Sequence, residues 1–321
     1  MKKIFKNPIF TFILGVILCC VTIVIADTIN SNEVLYDNSN SSSSATDVQG
    51  AIDDVYNIIN HNSLSFSLLT HKPVGLSSDL IAGLYRFQGV EDTNNTVDNY
   101  ICFGTTSKSD CTTNTDAYMY RIIGISSNGQ LKLIKKEALN TAYVWNSSDG
   151  VDWAHSELYA NLNDSYFLTN TTYVPDSSWS NRIVASDWHY ATFTNANMDA
   201  ATMDSTELGA ETVNAKIGLM YLHDYYYGLE GGNNCSSSGA YSTCKTSWLH
   251  LSKNDTSAPN TTYEWTISRR DTSAAWYVYS DGRVPYHTMT NTNSVRPVFY
   301  LRSGERITSG SGAIGDPYIL S

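Results

Sequence analysis

The chain has 321 residues, a formal net charge of -11, 42% hydrophobic residues and only 16% charged ones. That apolar content can bury a core, so disorder of the whole chain is excluded, and the length allows one large domain or two modest ones. Lys2, Lys3 and Lys6 precede the first apolar run, leaving 17 of the 20 basic residues against 31 acidic ones. This balance argues against nucleic acid and leaves no basic stripe for an anionic membrane surface.

Residues 8–26 carry no charge, and no Lys or Arg follows until Lys72. The asymmetry places the N-terminus in the cytoplasm and the rest outside. The run meets the roughly 17–25 residues of an uncleaved membrane helix. It also ends on Val24, Ile25 and Ala26, a small-residue site for signal cleavage. Residues 1–26 are therefore a signal anchor or a signal peptide. The product is a single-pass membrane protein with an extracellular C-terminal domain, or a secreted one if cleaved after Ala26.

Residues 27–79 read as a polar spacer. Within it Thr46 and Asp47 can cap a short helix over 46–60, where Val48, Ile52, Val55 and Ile59 form a short apolar seam. The seam allows weak self-association or packing on its own domain. The globular domain is expected over 80–321. Leu84–Phe87 reads as a strand, and Tyr118–Ile125 with Gly129–Lys135 as a hairpin. Trp153–Phe167 suits a helix, and Asp176 can cap another running through Ile183. Strands are expected at Ile217–Leu222, Tyr263–Ser268, Ala275–Tyr279, Arg296–Leu301 and Tyr318–Leu320. Without strand–helix alternation, the fold class is α+β with short antiparallel strands and few helices.

Outside the apolar run stand Cys102, Cys111, Cys235 and Cys244, two pairs each nine positions apart. Export favours disulfides, and of the three connectivities the local one needs the least rearrangement. A four-thiolate zinc site is the rival, although zinc pairs usually sit closer in sequence.

Several stretches resemble an uncharacterised domain family of exported, membrane-anchored bacterial surface proteins. They are Asn99–Gly104, Tyr120–Gly124, Leu131–Ile134, Trp153 to Asn163, Gly218–Tyr225, Glu264-Trp265, Asp281-Gly282, Val295–Val298 and Asp316–Tyr318. More distantly, Glu264-Trp265 followed by Arg296-Pro297 resembles the formylglycine-generating-enzyme branch of the C-type-lectin-like fold. That resemblance implies an irregular scaffold with a loop-rich face. The branch uses paired cysteines late in the chain, and none follows Cys244 here, so its catalysis is not implied.

Other motifs carry less. Gly310–Gly315 matches a dinucleotide fingerprint by pattern, but Pro317 forbids the helix it needs, so it reads as a glycine turn. Asp92–Asp98 clusters oxygens suited to calcium yet lacks the Gly and closing Glu of a calcium loop. His223-Asp224 could orient an imidazole, but reads more simply as a surface-loop pair. No cofactor and no metal are expected. Trp276, Tyr277, Tyr286 and His287 lie beside Asn291, and Tyr225 and Tyr226 flank the second cysteine loop. Tyr mixed with Ser and Asn suits an adaptable recognition surface. The reading is a non-enzymatic surface binding or adhesion protein, with a glycan, a cell-wall polymer or a protein as ligand. An exported enzyme and a structural part of a surface appendage are the alternatives.

Overall fold

The computed structural model describes residues 47–49, 63–92, 94, 96–165, 167–236, 241–253 and 263–321. The apolar run 8–26 lies outside them, as do Ile52, Val55 and Ile59 of the seam. Among the described residues no helix is long and apolar enough to cross a membrane. The chain divides into Met1–Tyr56 and Asn57–Ser321, and the second unit carries the fold. It opens on α1 (Leu64–His71), capped by the Ser63 side chain, which accepts from Phe66 N. Leu64 and Leu68 are buried in the main core. These residues fall in the expected spacer, yet they belong to the compact unit, so the domain begins before Leu80.

β1 (Leu76–Ile81) and β2 (Leu84–Phe87) form a hairpin. Next come β3 (Tyr100–Cys102), β4 (Met119–Ser126), β5 (Leu131–Lys135), β6 (Tyr143–Val144), β7 (Ile183–Val184), β8 (Ser186–His189), β9 (Thr212–Ala215) and β10 (Ile217–Gly218). β11 (Tyr263–Arg269), β12 (Ala274–Tyr279), β13 (Tyr286–Thr288), β14 (Thr292–Asn293), β15 (Val298–Leu301), β16 (Ile307–Ser309) and β17 (Tyr318–Leu320) complete the set. The main sheet runs β10-β15-β5-β4-β3-β17-β16. β4 is long enough to pair β3 with its first half and β2 with its second. β15 likewise pairs β5 on one edge, and β10 and β7 in succession on the other. These branches curl the sheet. All its pairings are antiparallel except β17 with β3. A second sheet, β11-β12-β13, stands apart, as do two two-stranded pairs. The described residues thus form an α+β fold, mostly short strands with few helices.

Three expected elements differ. Trp153–Phe167 is not one helix. It breaks into Trp153–His155, Glu157–Ala160 and a wider turn at Asn161–Ser165, because the Ser156 side chain accepts from Tyr159 N and starts a new helix. Asp176 does cap a helix, but that helix ends at Ser180 and Ile183 opens β7. The strand from Ile217 stops at Gly218, where an added Cβ would lie 2.2 Å from the Trp188 ring.

Candidate binding site

The two cysteine pairs are the local ones. Cys102–Cys111 and Cys235–Cys244 are disulfides with Cα atoms 5.9 and 5.8 Å apart. Both fit an oxidising compartment.

The expected aromatic surface is only partly at the surface. Tyr225 and Tyr226 are fully buried on a short helix, and their hydroxyls donate to Gly282 O and Ala196 O. Trp276 is buried against Phe193 and donates to its carbonyl, and Tyr277 is almost buried. Tyr225, Tyr226 and Trp276 belong to the core, because their large apolar rings gain more from burial than their single polar atoms cost once bonded. Tyr286 is 49% exposed, while His287 and Asn291 are half-buried. Residues alternate between the two sides of β11 and β12. Glu264, Thr266, Ser268, Trp276 and Val278 lie on one side and are buried. The other, outer face carries Tyr263, Tyr279 and His287, half-buried, with Tyr277 at 7% exposure, and beyond them Trp265 and Ile267 are buried on that same face. There Tyr263 contacts the other three rings at 5.3–5.4 Å. The Arg283 guanidinium sits 4.7 Å from the Tyr279 ring centre. The hydroxyls of Tyr263, Tyr277 and Tyr279 have no hydrogen-bond partner among the described residues. Burial pushes the Tyr277 hydroxyl up to about 12, so it stays a donor at neutral pH.

A second arrangement was not expected from the sequence. Residues paired across neighbouring strands share a face. Arg86 on β2 pairs with Gly124 on β4, Gly124 with Lys132 on β5, and Lys132 with Tyr300 on β15. Gly124 leaves the row open at its centre, and a Cβ there would meet the Tyr85 carbonyl at 2.7 Å. Arg86 and Lys132 therefore converge on one carboxylate. Arg86 Nη1 donates to Asp224 Oδ1 at 2.7 Å and Lys132 Nζ to Oδ2 at 2.6 Å. All three residues are about 1% exposed.

Two helices supply the acids. α2 (Ala200–Leu208) is capped by Asp199, which accepts from Thr202 N, and carries Glu207 near its end. α3 (Leu222–Tyr226) carries Asp224, whose Oδ2 also accepts from Tyr221 N at 3.1 Å. Glu207 accepts from Leu222 N, His223 N and Ser268 Oγ at 2.7–3.0 Å, and bonds His223 Nδ1 at 2.9 Å. His223 Nε2 stands 3.7 Å from Asp224 Oδ1. Burial alone would raise the Asp224 carboxyl, but Lys132, Arg86 and His223 hold it well below the usual carboxylate range. Burial lowers the Lys132 ammonium, with Asp224 opposing and Arg86 adding to the shift. Burial raises the Tyr221 and Tyr300 hydroxyls, so both remain protonated.

A cavity of about 270 Å³ adjoins this row, lined among others by Arg86, Lys132, His189, Tyr221, His223 and Tyr300. The β1–β2 turn lines it too, with Ala82 at φ +50° and Gly83 at φ +76°. Arg86 ties the turn down through the carbonyls of Ile81 and Ala82 at 2.7 and 3.3 Å. His223 and Asp224 are thus buried at a helix start and are not a surface-loop pair. The signal for them lay in the strands, since Arg86 and Lys132 interrupt otherwise apolar runs. No family model, curated protein or solved structure matches the chain.

Proposed function

We propose that the chain is a non-enzymatic, extracytoplasmic binding protein that holds a cell-surface glycan on the outer aromatic face of β11–β13. The observation that carries this reading is the contiguous set of rings at Tyr263, Tyr277, Tyr279 and His287 with unused hydroxyls. A sugar offers C–H faces to such rings and hydroxyls to such donors, and Tyr supplies that area at low entropy cost. The two disulfides support export. On this reading residues 8–26 hold the protein in the membrane, and the scaffold is a C-type-lectin-like domain presenting one variable face. The same pairing leaves no free thiol among the described cysteines, which weighs against the thiol chemistry of the formylglycine-generating branch.

The test is retention of the full-length chain on isolated cell-wall polysaccharide and on an array of glycans. Tyr279→Ala removes a half-buried outer ring while keeping the backbone carbonyl that His250 uses. Losing one stacked contact at a binding centre should weaken retention about tenfold or more. Equal retention of native and variant chains, or none by either, would overturn the reading.

A further inference from the structure

The row Arg86–Gly124–Lys132–Tyr300 sets two cations against one carboxylate, since Arg86 and Lys132 both donate to Asp224. Glu207 offsets the second cation as a charge, but it offers Lys132 no hydrogen-bond acceptor. It is occupied by His223, Ser268 and two backbone N–H groups. The cavity wall at Arg86 and Lys132 is therefore short of hydrogen-bond acceptors. Lys132 Nζ has three N–H donors, and Asp224 is its one hydrogen-bond acceptor among the described residues. The Tyr300 hydroxyl has no hydrogen-bond partner among them. Tyr221 Oη accepts from His189 N at 2.9 Å and keeps its own proton unused. The carboxylate at the rim, Asp187, is exposed and bonded to Asn214 Nδ2 at 2.8 Å.

We propose that this cavity binds the carboxylate of a small organic acid, its two oxygens accepting from Lys132 Nζ and from the Tyr221 and Tyr300 hydroxyls. A carboxylate is acceptor-only and pairs with an ammonium, so it answers the surplus of donors. The volume, about 270 Å³, lies just under the roughly 300–1,000 Å³ of pockets for drug-sized ligands. It suits a molecule between lactate and a single uronic acid. The Ala82–Gly83 turn at the wall, strained at Ala82 and pinned by Arg86, is the kind of over-determined backbone that clamps a ligand. This site stands on different residues from the aromatic face and holds whether or not that face binds glycan.

The experiment is calorimetric titration of the full-length chain with lactate, glucuronate and, as the neutral counterpart, glucose. Binding of lactate or glucuronate, and not of glucose, is expected. Preference for lactate identifies a free metabolite, and preference for glucuronate an acidic sugar. Tyr300→Phe keeps the ring and removes one donor, and should weaken the acid about tenfold or more, as for a hydrogen bond to a charged group. Lys132→Met should abolish binding, and Tyr300→Phe keeps the test decisive if Lys132→Met does not fold. Glucose binding as well as either acid, no binding by any of the three, or an affinity unchanged by Tyr300→Phe would overturn the proposal.

Discussion

Replacing Asp224 by Asn keeps the shape of the side chain and removes the one carboxylate that Arg86 and Lys132 share. Both cations are about 1% exposed, so water replaces it poorly. Breaking a buried pair by removing one partner costs about 3–5 kcal/mol, because the remaining charge stays buried. Here two charges are stranded, so the upper half of that range is expected, against a total stability of about 5–15 kcal/mol. The melting temperature should fall by about 8–20 °C. Guanidinium unfolding at neutral pH reads the change as a lower midpoint at unchanged slope. Adding Lys132→Met to Asp224→Asn should restore part of the loss. The pH dependence has a definite sign. The folded Asp224 carboxyl lies below its unfolded value, so its contribution is complete above about pH 5 and is lost progressively as pH falls further. The native chain should therefore lose stability more steeply than Asp224→Asn below about pH 5. A cost under about 1 kcal/mol for Asp224→Asn would refute the claim that the row is a buried charge cluster.

Gly124→Ala should cost about 1–3 kcal/mol, since its Cβ would press on the Tyr85 carbonyl between two paired strands; equilibrium unfolding reads it. Replacing Cys235 and Cys244 together by Ser should cost about 3 kcal/mol by the loop-closure estimate, and should leave an intact-mass thiol count of none in the second unit before reduction and two after it. His250 is held neutral by burial, which lowers it from 6.5 to about 4. The unfolded chain then binds the extra proton first, so stability should fall by about 3 kcal/mol as pH drops across that window. His250→Asn should flatten that limb in acid titrations followed by circular dichroism.

The strands at Leu84–Phe87 and Tyr318–Leu320, and the hairpin joining β4 to β5, were legible because apolar alternation and turn residues coincide there. α1 and α2 were not. The segment Ala200–Leu208 is polar on most faces, and its cap at Asp199 is a local signal without an apolar stripe to confirm it. Local pairing of the cysteines was legible from their spacing. The aromatic face was legible as composition, but not as a face. Tyr263, Tyr277 and Tyr279 share one side because they alternate with Glu264, Trp276 and Val278, and the same side is buried farther along at Trp265 and Ile267. The buried row was the least visible part. Its members lie far apart in sequence, with Lys132 and Asp224 separated by 92 positions. Charged residues are also expected outside until a specific partner brings them in. Only the strand register, with Gly124 between Arg86 and Lys132, turns those charges into a cluster.

Isotope-labelled tyrosine offers the most direct test of the central claim, followed by ring resonances as the glycan retained by the chain is added. The account predicts shifts at Tyr263, Tyr277 and Tyr279, saturating together, with Tyr225 and Tyr226 unmoved in the core. Shifts confined to other tyrosines, or none at saturating glycan, would contradict it.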